Sequence, residues 1–201
     1  QSIIYGAKDG ADYFLIAKNF LNVSWGFSEN INSINEEIEY QRAWRFIIPS
    51  LIGFLGKISG LDVYLIFRVF ILIFCIAIIL IFLEILKSLK FNTFHTYFLS
   101  SFIIFNPYLF RYFIALPTMI NDLIFICASL LLVLGFVKNK KFFFYLGILL
   151  SVFTRQNSIF FLLSIIVVKL VYKKESVFKI KDIFVLSLLF LFFYLLNNYY
   201  A

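Results

Sequence analysis

The chain has 201 residues, of which 63% are hydrophobic and 14% charged, and its mean hydropathy is +0.96. Soluble domains carry about 25% charged residues, so this composition excludes an ordinary soluble domain and predicts a membrane protein. The net charge of +7 does not indicate a nucleic-acid partner, because the lysines stand in short loops between apolar runs.

The first predicted element is an amphipathic helix in the stretch KDGADYFLIAKNF, residues 8–20. Apolar residues recur from Tyr13 onward at the spacing i, i+3, i+4, i+7. Asp9 lies one turn before Tyr13, and Asp12 one turn before Ile16, so both acids fall on or beside the apolar face. Because burial disfavours the charged form of a carboxylate, an acid in this place is a candidate general base.

A polar segment, residues 22–37, then leads into the stretch EYQRAWRFIIPSLIG. Arg42 and Arg45 are three residues apart, hence on one helical face where the chain meets the membrane. Two arginines there suit bidentate contact with a phosphate or pyrophosphate head group, although such pairs also serve as anchors. Pro49 breaks the helical pattern and fixes the entry to the next element, residues 46–55, which are too short to span. We therefore expect a helix lying in the outer interface.

Apolar runs of spanning length begin at residue 61. A spanning helix needs about 20 apolar residues, and Asn106–Pro107 must kink or break the second run. We therefore predict an outer loop with juxtamembrane helices over residues 1–60 and about five to six transmembrane segments over residues 61–201. Since the chain starts without Met, we expect it to be a piece of a longer protein. The apolar runs are 61–86, 95–116, 118–137, 142–153, 158–172 and 183–200.

The connectors between these runs set the predicted orientation. If every run crosses once, three lysine-rich connectors fall on one side of the membrane, which makes that side cytoplasmic. The amino-terminal 60 residues then face outward, together with the turn at Thr154–Asn157. The lysine-rich connectors are residues 87–90, 138–141 and 169–181.

A few charged residues stand inside the apolar runs, where a charge at mid-bilayer costs roughly 2.5–3.5 kcal/mol. Asp122 lies one turn inside its run, and Arg155 lies between two short runs, where irregular backbone needs a water-filled cavity or surrounding protein. They are either site residues or structural partners of one another. Glu84 is expected to pair with Lys87 on its own helix.

The stretches KDGADYFLIAKN and YQRAWRFIIPSLIG resemble the first outer loop of integral membrane glycosyltransferases of the GT-C type. In the bacterial members an Asp-Gly-x-x-Tyr element precedes a short helix, and an Arg-x-x-x-Pro element returns the chain to the membrane. Here these elements are Asp9, Gly10 and Tyr13, then Arg45 and Pro49. The later stretches NPYLFRYFIALPTMINDLIFICASLLLVLGF and LGILLSVFTRQNSIFFLL are similar to the family's central spans, where TRQ marks an outer turn.

This resemblance covers most of residues 8–168 and implies an all-α, polytopic transmembrane helix bundle with an outer juxtamembrane helical loop. It implies an inverting transfer from a polyprenyl-phosphate-linked sugar to a glycan, lipid or protein acceptor, on the outer face of a bacterial inner membrane. Asp9 would be the general base, with Asp12 as the second choice. The expected substrate-binding residues are Tyr13, Arg42, Arg45, Asp122, Arg155 and Gln156.

No cofactor is expected, since the sugar donor carries its phosphate on a lipid and no nucleotide-binding motif occurs. A divalent ion is not favoured, because Asp9 and Asp12 are the only candidate ligands in the loop and no His is near them. Two rival functions stay open: a transporter or polymerase of lipid-linked glycans, and a non-catalytic membrane assembly subunit. The first favours inverted repeats and charges at mid-membrane, which the sequence does not show.

Overall fold

The protein is described from a computed structural model that covers residues 13–18, 45–155 and 191. Every regular element in these ranges is helical and none is a strand, which confirms the all-α prediction. Residues 13–18 are helical. The elements that follow are α1 (Ile47–Ser59), α2 (Val63–Ser88), α3 (Thr93–Phe105), a π-helical turn (Pro107–Arg111), α4 (Tyr112–Ala115), a 3₁₀ turn (Pro117–Met119), α5 (Ile120–Val137) and α6 (Lys141–Thr154).

Within the described residues, three helical stretches are long and apolar enough to cross a membrane: Val63–Ser88, Thr93–Ala115 and Pro117–Val137. The 26 residues of α2 extend about 39 Å, more than the ~30 Å hydrocarbon core. These three helical stretches match the predicted apolar runs 61–86, 95–116 and 118–137, and their length and composition are those of membrane-spanning helices. The predicted runs 158–172 and 183–200 lie outside the described residues, apart from residue 191.

Side-chain caps explain where two of these helices begin. The Asp62 carboxylate accepts a hydrogen bond from the Leu65 N–H, at 3.2 Å, and starts α2. The Asn92 side chain accepts from the His95 N–H, at 2.8 Å, and starts α3. The predicted break is present: α3 ends at Phe105 and a π-helical turn begins at the proline.

Helix α1 contains Pro49, which was expected to fix the entry to this element. The proline does not break the helix, because it lies in the first turn, where backbone N–H groups have no intrahelical acceptor. With 13 residues α1 is too short to span, as predicted, and it ends at Gly60. Gly60 has a φ of +67° and its N–H donates to the Gly56 carbonyl, a turn that favours glycine.

Helix α5 is the centre of the packing, between α2 and α6. The most apolar window of Pro117–Val137 is 56% buried, against 28% for α2 and 18% for Thr93–Ala115. Small residues allow α5 and α6 to approach closely. A Cβ atom added to Gly147 would stand 2.8 Å from the Ala128 carbonyl oxygen and 2.9 Å from Leu132 Cγ. The glycine therefore sets the distance between the two backbones.

The outward faces of α2 and α3 are apolar. Large side chains recur along α2 every three or four residues, and those of α3 are mainly aromatic. A contiguous apolar surface of this kind is what lipid chains would cover. The exposed residues of the two faces include Leu65, Val69, Leu72, Ile76 and Leu80 on α2, and Phe94, Phe98 and Phe102 on α3.

The lysine-rich connectors after α2 and after α5 meet at one end of the bundle, here called the lysine end. Lys138 forms an ion pair with Glu84, which joins the end of α5 to the last turns of α2. The close partner of Glu84 is therefore Lys138, and the expected partner, Lys87, acts on the carboxylate only through its charge. Lys87 is on the same helix, whereas Lys138 reaches the carboxylate from the neighbouring one. The third connector, residues 169–181, lies outside the described residues.

Candidate functional site at the polar end

The opposite end of α5 carries a cluster of polar side chains that we call the polar end. Asp122 and Lys138 are 16 residues apart, about 24 Å along a helix, so this cluster and the lysine end lie at opposite ends of α5. Four of its members were predicted as site residues from the sequence, and one was not. The cluster consists of Tyr13, Arg45, Asn121, Asp122 and Arg155.

Tyr13 and Arg45 bring together the two segments of the predicted outer loop. Arg45 Nη1 donates a hydrogen bond to the Tyr13 hydroxyl oxygen at 2.9 Å, across 32 positions of sequence. Tyr13 is fully buried. Burial raises the pKa of Tyr13, and the neighbouring Arg45 and Asn121 side chains only partly oppose that effect. The hydroxyl therefore keeps its proton at neutral pH and remains a hydrogen-bond donor.

Asn121 connects this pair to the first turn of α5. Its Nδ2 donates to the Arg45 carbonyl oxygen at 3.2 Å, and the side chain is fully buried. Since the amide nitrogen must face that carbonyl, the orientation of the side chain is fixed and Oδ1 points elsewhere. The contact holds Arg45, two residues before the start of α1, against the first turn of α5. Sequence reasoning missed Asn121, although an amide in an apolar run beside Asp122 was a signal that it has a partner.

Two buried polar atoms of this cluster have no hydrogen-bond partner in the part of the chain that the structure describes: Arg45 Nε and Asn121 Oδ1. One is a donor and the other an acceptor. An unsatisfied buried group of this kind costs about 1–3 kcal/mol, and native structures keep few of them. The pair therefore marks a place where a ligand or a water molecule would gain hydrogen bonds.

Asp122 and Arg155 form an ion pair beside these residues. Arg155 Nε and Nη2 both donate to Asp122 Oδ1, at 2.9 and 2.6 Å, and the guanidinium carbon lies 5.5 Å from the centre of the Phe125 ring. The pair joins the first turn of α5 to the residue that ends α6. It agrees with the alternative that these two residues are structural partners.

The charge of the described cluster is positive. Asp122 and Arg155 neutralise each other, and no carboxylate among residues 13–18 and 45–155 pairs with Arg45. Asn121 and Asp122 are neighbours in the first turn of α5, so the two groups of contacts lie side by side. A partly buried guanidinium that has no carboxylate partner among the described residues is suited to an anionic group such as a phosphate.

The remaining predicted site residues lie outside the described residues: Asp9, Asp12, Arg42 and Gln156. In sequence they flank the described ones, since Asp9 is four residues before Tyr13 and Gln156 follows Arg155. In the ranges that the structure covers, no three His, Cys, Asp or Glu residues group as metal ligands. The two cysteines there, Cys75 and Cys127, are buried free thiols in α2 and α5.

Comparisons of the chain with protein-family models, with curated proteins and with solved structures give no match. At the polar end lies one described residue from each of three short motifs: Tyr13, Arg45 and Arg155. Those motifs are the Asp-Gly-x-x-Tyr element, the Arg-x-x-x-Pro element and the turn that contains Arg155.

Proposed function

We propose that the protein is a membrane glycosyltransferase of the GT-C type. It transfers a sugar from a polyprenyl-phosphate-linked donor to an extracytoplasmic glycan, lipid or protein acceptor. The observation that supports this most is the hydrogen bond between Tyr13 and Arg45, which joins the two short motifs of the GT-C resemblance at one end of an apolar helix bundle. The Asp122–Arg155 pair adds the third motif to the same end.

The proposed reaction needs a base for the acceptor and a cation for the departing phosphate. Asp9 takes the proton from the acceptor hydroxyl while its oxygen attacks the anomeric carbon of the sugar. The bond from that carbon to the phosphate oxygen breaks, and its electron pair leaves with the polyprenyl phosphate. Attack from the face opposite the leaving group inverts the configuration.

Arg45 is proposed to hold the phosphate of the donor. Its guanidinium is partly buried, tied to Tyr13 through one nitrogen, and without a carboxylate partner among the described residues. A guanidinium fixed in this way stabilises the negative charge that collects on the leaving phosphate. Arg155 is a second candidate, because a phosphate would compete with Asp122 for its N–H groups. In the same proposal Asp12 is the second choice for the general base, and Arg42 and Gln156 are substrate-binding residues.

The positive-inside rule supports an outward-facing site. The lysine end would then lie in the cytoplasm and the polar end on the outer side of a bacterial inner membrane. There the lipid-linked donor presents its head group, and its chain lies along the apolar faces of the bundle. The donor carries its own phosphate, so no nucleotide is needed.

Complementation with the full-length gene tests this function. Asp9→Asn is nearly isosteric but removes the base, so we expect surface glycan to be lost while the protein level stays normal. The matched control is Asp62→Asn, at the carboxylate that caps α2, because asparagine caps a helix equally well. Normal glycan from Asp9→Asn would refute the transferase mechanism and favour a carrier or an assembly subunit.

A further inference from the structure

The lysine end carries a large excess of positive charge. Its two described connectors, residues 87–90 and 138–141, contain five lysines, and Glu84 is the only carboxylate that the structure describes at this end. The other described carboxylates, Asp62 and Asp122, lie at the starts of α2 and α5, at the far ends of these helices. Five lysines against one carboxylate leave an excess of four positive charges. The lysines are Lys87, Lys90, Lys138, Lys140 and Lys141.

Most of this charge is not paired within the described part of the chain. Lys138 pairs with Glu84, whereas Lys87, Lys90 and Lys140 are exposed, and their side chains form no hydrogen bond or ion pair with other described residues. Lys87 lies one helical turn after Glu84, and the Lys90 N–H donates to the Lys87 carbonyl oxygen at 3.0 Å. Lys140 is two residues after Lys138. The three exposed lysines therefore lie around one ion pair, and their charges remain available to an anion.

Exposed aromatic side chains stand directly beside these lysines. Phe91 follows Lys90, and Phe142 follows Lys141. Phe94 lies in the first turn of α3 and begins the aromatic outward face of that helix. An acidic protein that bound the lysines from the aqueous side would leave these rings in water. A phospholipid instead places its phosphate beside the lysines and its acyl chains beside the rings, so the surface fits a lipid better than a soluble partner.

We infer that the lysine end binds anionic phospholipids of the bilayer, with Lys87, Lys90 and Lys140 around the phosphate and the outward face of α3 along the acyl chains. The inference does not rest on the proposed glycosyl transfer, because it concerns the end of α5 away from the polar end. Phosphatidylglycerol fits this surface, since its head group carries one negative charge and no cation. Phosphatidylcholine fits it less well, since the lysines repel its quaternary ammonium group. One lysine beside an anionic membrane surface contributes about fivefold to binding, equivalent to about 1 kcal/mol.

Native mass spectrometry of the purified full-length protein in detergent tests the inference through the dissociation constants of phosphatidylglycerol and phosphatidylcholine with matched acyl chains. We expect the wild type to bind phosphatidylglycerol at least about fivefold more tightly, a result that needs no variant to fold. Lys87→Gln combined with Lys140→Gln should reduce this preference to less than about twofold, and Lys87→Arg combined with Lys140→Arg should keep it. The control is Lys57→Gln combined with Arg111→Gln, which removes the same charge from exposed residues away from the lysine end and should keep the preference.

Equal binding of the two lipids by the wild type would overturn the inference, and the lysines would then act only at the helix ends or toward an acidic protein. A preference that survives the two glutamine changes at the lysine end would also overturn it. So would an equal loss of preference in the control variant, because the preference would then follow the net charge of the protein. Glycerol phosphate offers the same phosphate without acyl chains. If it displaces phosphatidylglycerol, the surface binds free anions and the lipid assignment fails, whereas a lipid that stays bound supports the assignment.

Discussion

The ion pair between Asp122 and Arg155 can be measured by a double-mutant cycle that combines Asp122→Asn with Arg155→Gln. Two N–H groups of Arg155 donate to one oxygen of Asp122, at 2.9 and 2.6 Å. Hydrogen bonds to charged groups contribute about 1.5–3 kcal/mol, and fully exposed ion pairs about 0.2–1 kcal/mol. Because the side chains are 20% and 34% exposed, we expect an intermediate coupling energy of about 1–2 kcal/mol.

The free energy of unfolding in detergent, from denaturant titrations of the wild type, both single variants and the double variant, gives this coupling energy. Glu84→Gln combined with Arg155→Gln is the control, since Glu84 belongs to the lysine end and contacts neither residue. Distant changes should add within about 0.3–0.5 kcal/mol. A coupling between Asp122 and Arg155 no larger than that of the control would refute the ion pair as the link between α5 and α6.

The charge-swapped variant, Asp122→Arg with Arg155→Asp, separates a structural role from a substrate-binding role. The swap keeps an ion pair between the two helices, so it should recover part of the stability that the single changes lose. If Arg155 also contacts the donor phosphate, glycan synthesis stays impaired although the protein is folded. Full glycan synthesis in the swapped variant would make the pair structural only.

Three further changes test other parts of the polar end and of the bundle. Arg45→Lys keeps the charge but loses the planar fork, so donor turnover should fall at least tenfold. Arg68→Lys, at an exposed arginine beside Tyr64, is the control and should leave donor turnover unchanged. Equal turnover in both variants would reduce Arg45 to an anchor. Tyr13 should ionise only above the ordinary pKa of about 10, because burial raises its pKa. The contribution of protonated Tyr13 to the free energy of unfolding is complete below the pKa of the unfolded state and is lost as pH rises through the pKa of the folded state. The measurement is a difference titration of tyrosinate absorbance, wild type minus Tyr13→Phe. Ionisation of Tyr13 at or below the ordinary tyrosine pKa would contradict the buried contact. Gly147→Ala should lower the free energy of unfolding by about 1–3 kcal/mol, because the added Cβ would stand 2.8 Å from a backbone oxygen. This loss is expected although alanine favours the helix by about 1 kcal/mol relative to glycine. An unchanged or higher free energy of unfolding would show that α5 and α6 do not approach so closely.

Much of the bundle could be predicted because each spanning helix is a local pattern. The length of the apolar runs determines α2 and α5, and the Asn106–Pro107 break follows from the missing N–H of the proline. The position of Pro49 at the start of a helix could be predicted only in part. Proline excludes a helix interior, but sequence alone does not say whether the residue lies in the interior or in the first turn.

The contacts between helices were harder to predict, because a pattern along one segment does not identify its neighbour. Glu84 has a lysine three residues away on its own helix, yet it pairs with Lys138, 54 positions later. Asn121 was missed because its partner is a backbone carbonyl 76 positions earlier, which leaves no mark on composition or spacing. Tyr13 and Arg45 were predicted to belong to one outer loop through the resemblance of their motifs, but the hydrogen bond between them was not predicted.

The most direct test of the central claim is a turnover measurement with the purified full-length protein. The release of undecaprenyl phosphate from an undecaprenyl-phosphate sugar is followed in the presence of membrane-extracted acceptor, with Asp62→Asn as the matched control. We predict that the wild type and the control release the lipid phosphate at equal rates, and that Asp9→Asn binds the donor but releases almost none. Release by Asp9→Asn at the wild-type rate would contradict the assignment of Asp9 as the base and of the polar end as the site of transfer.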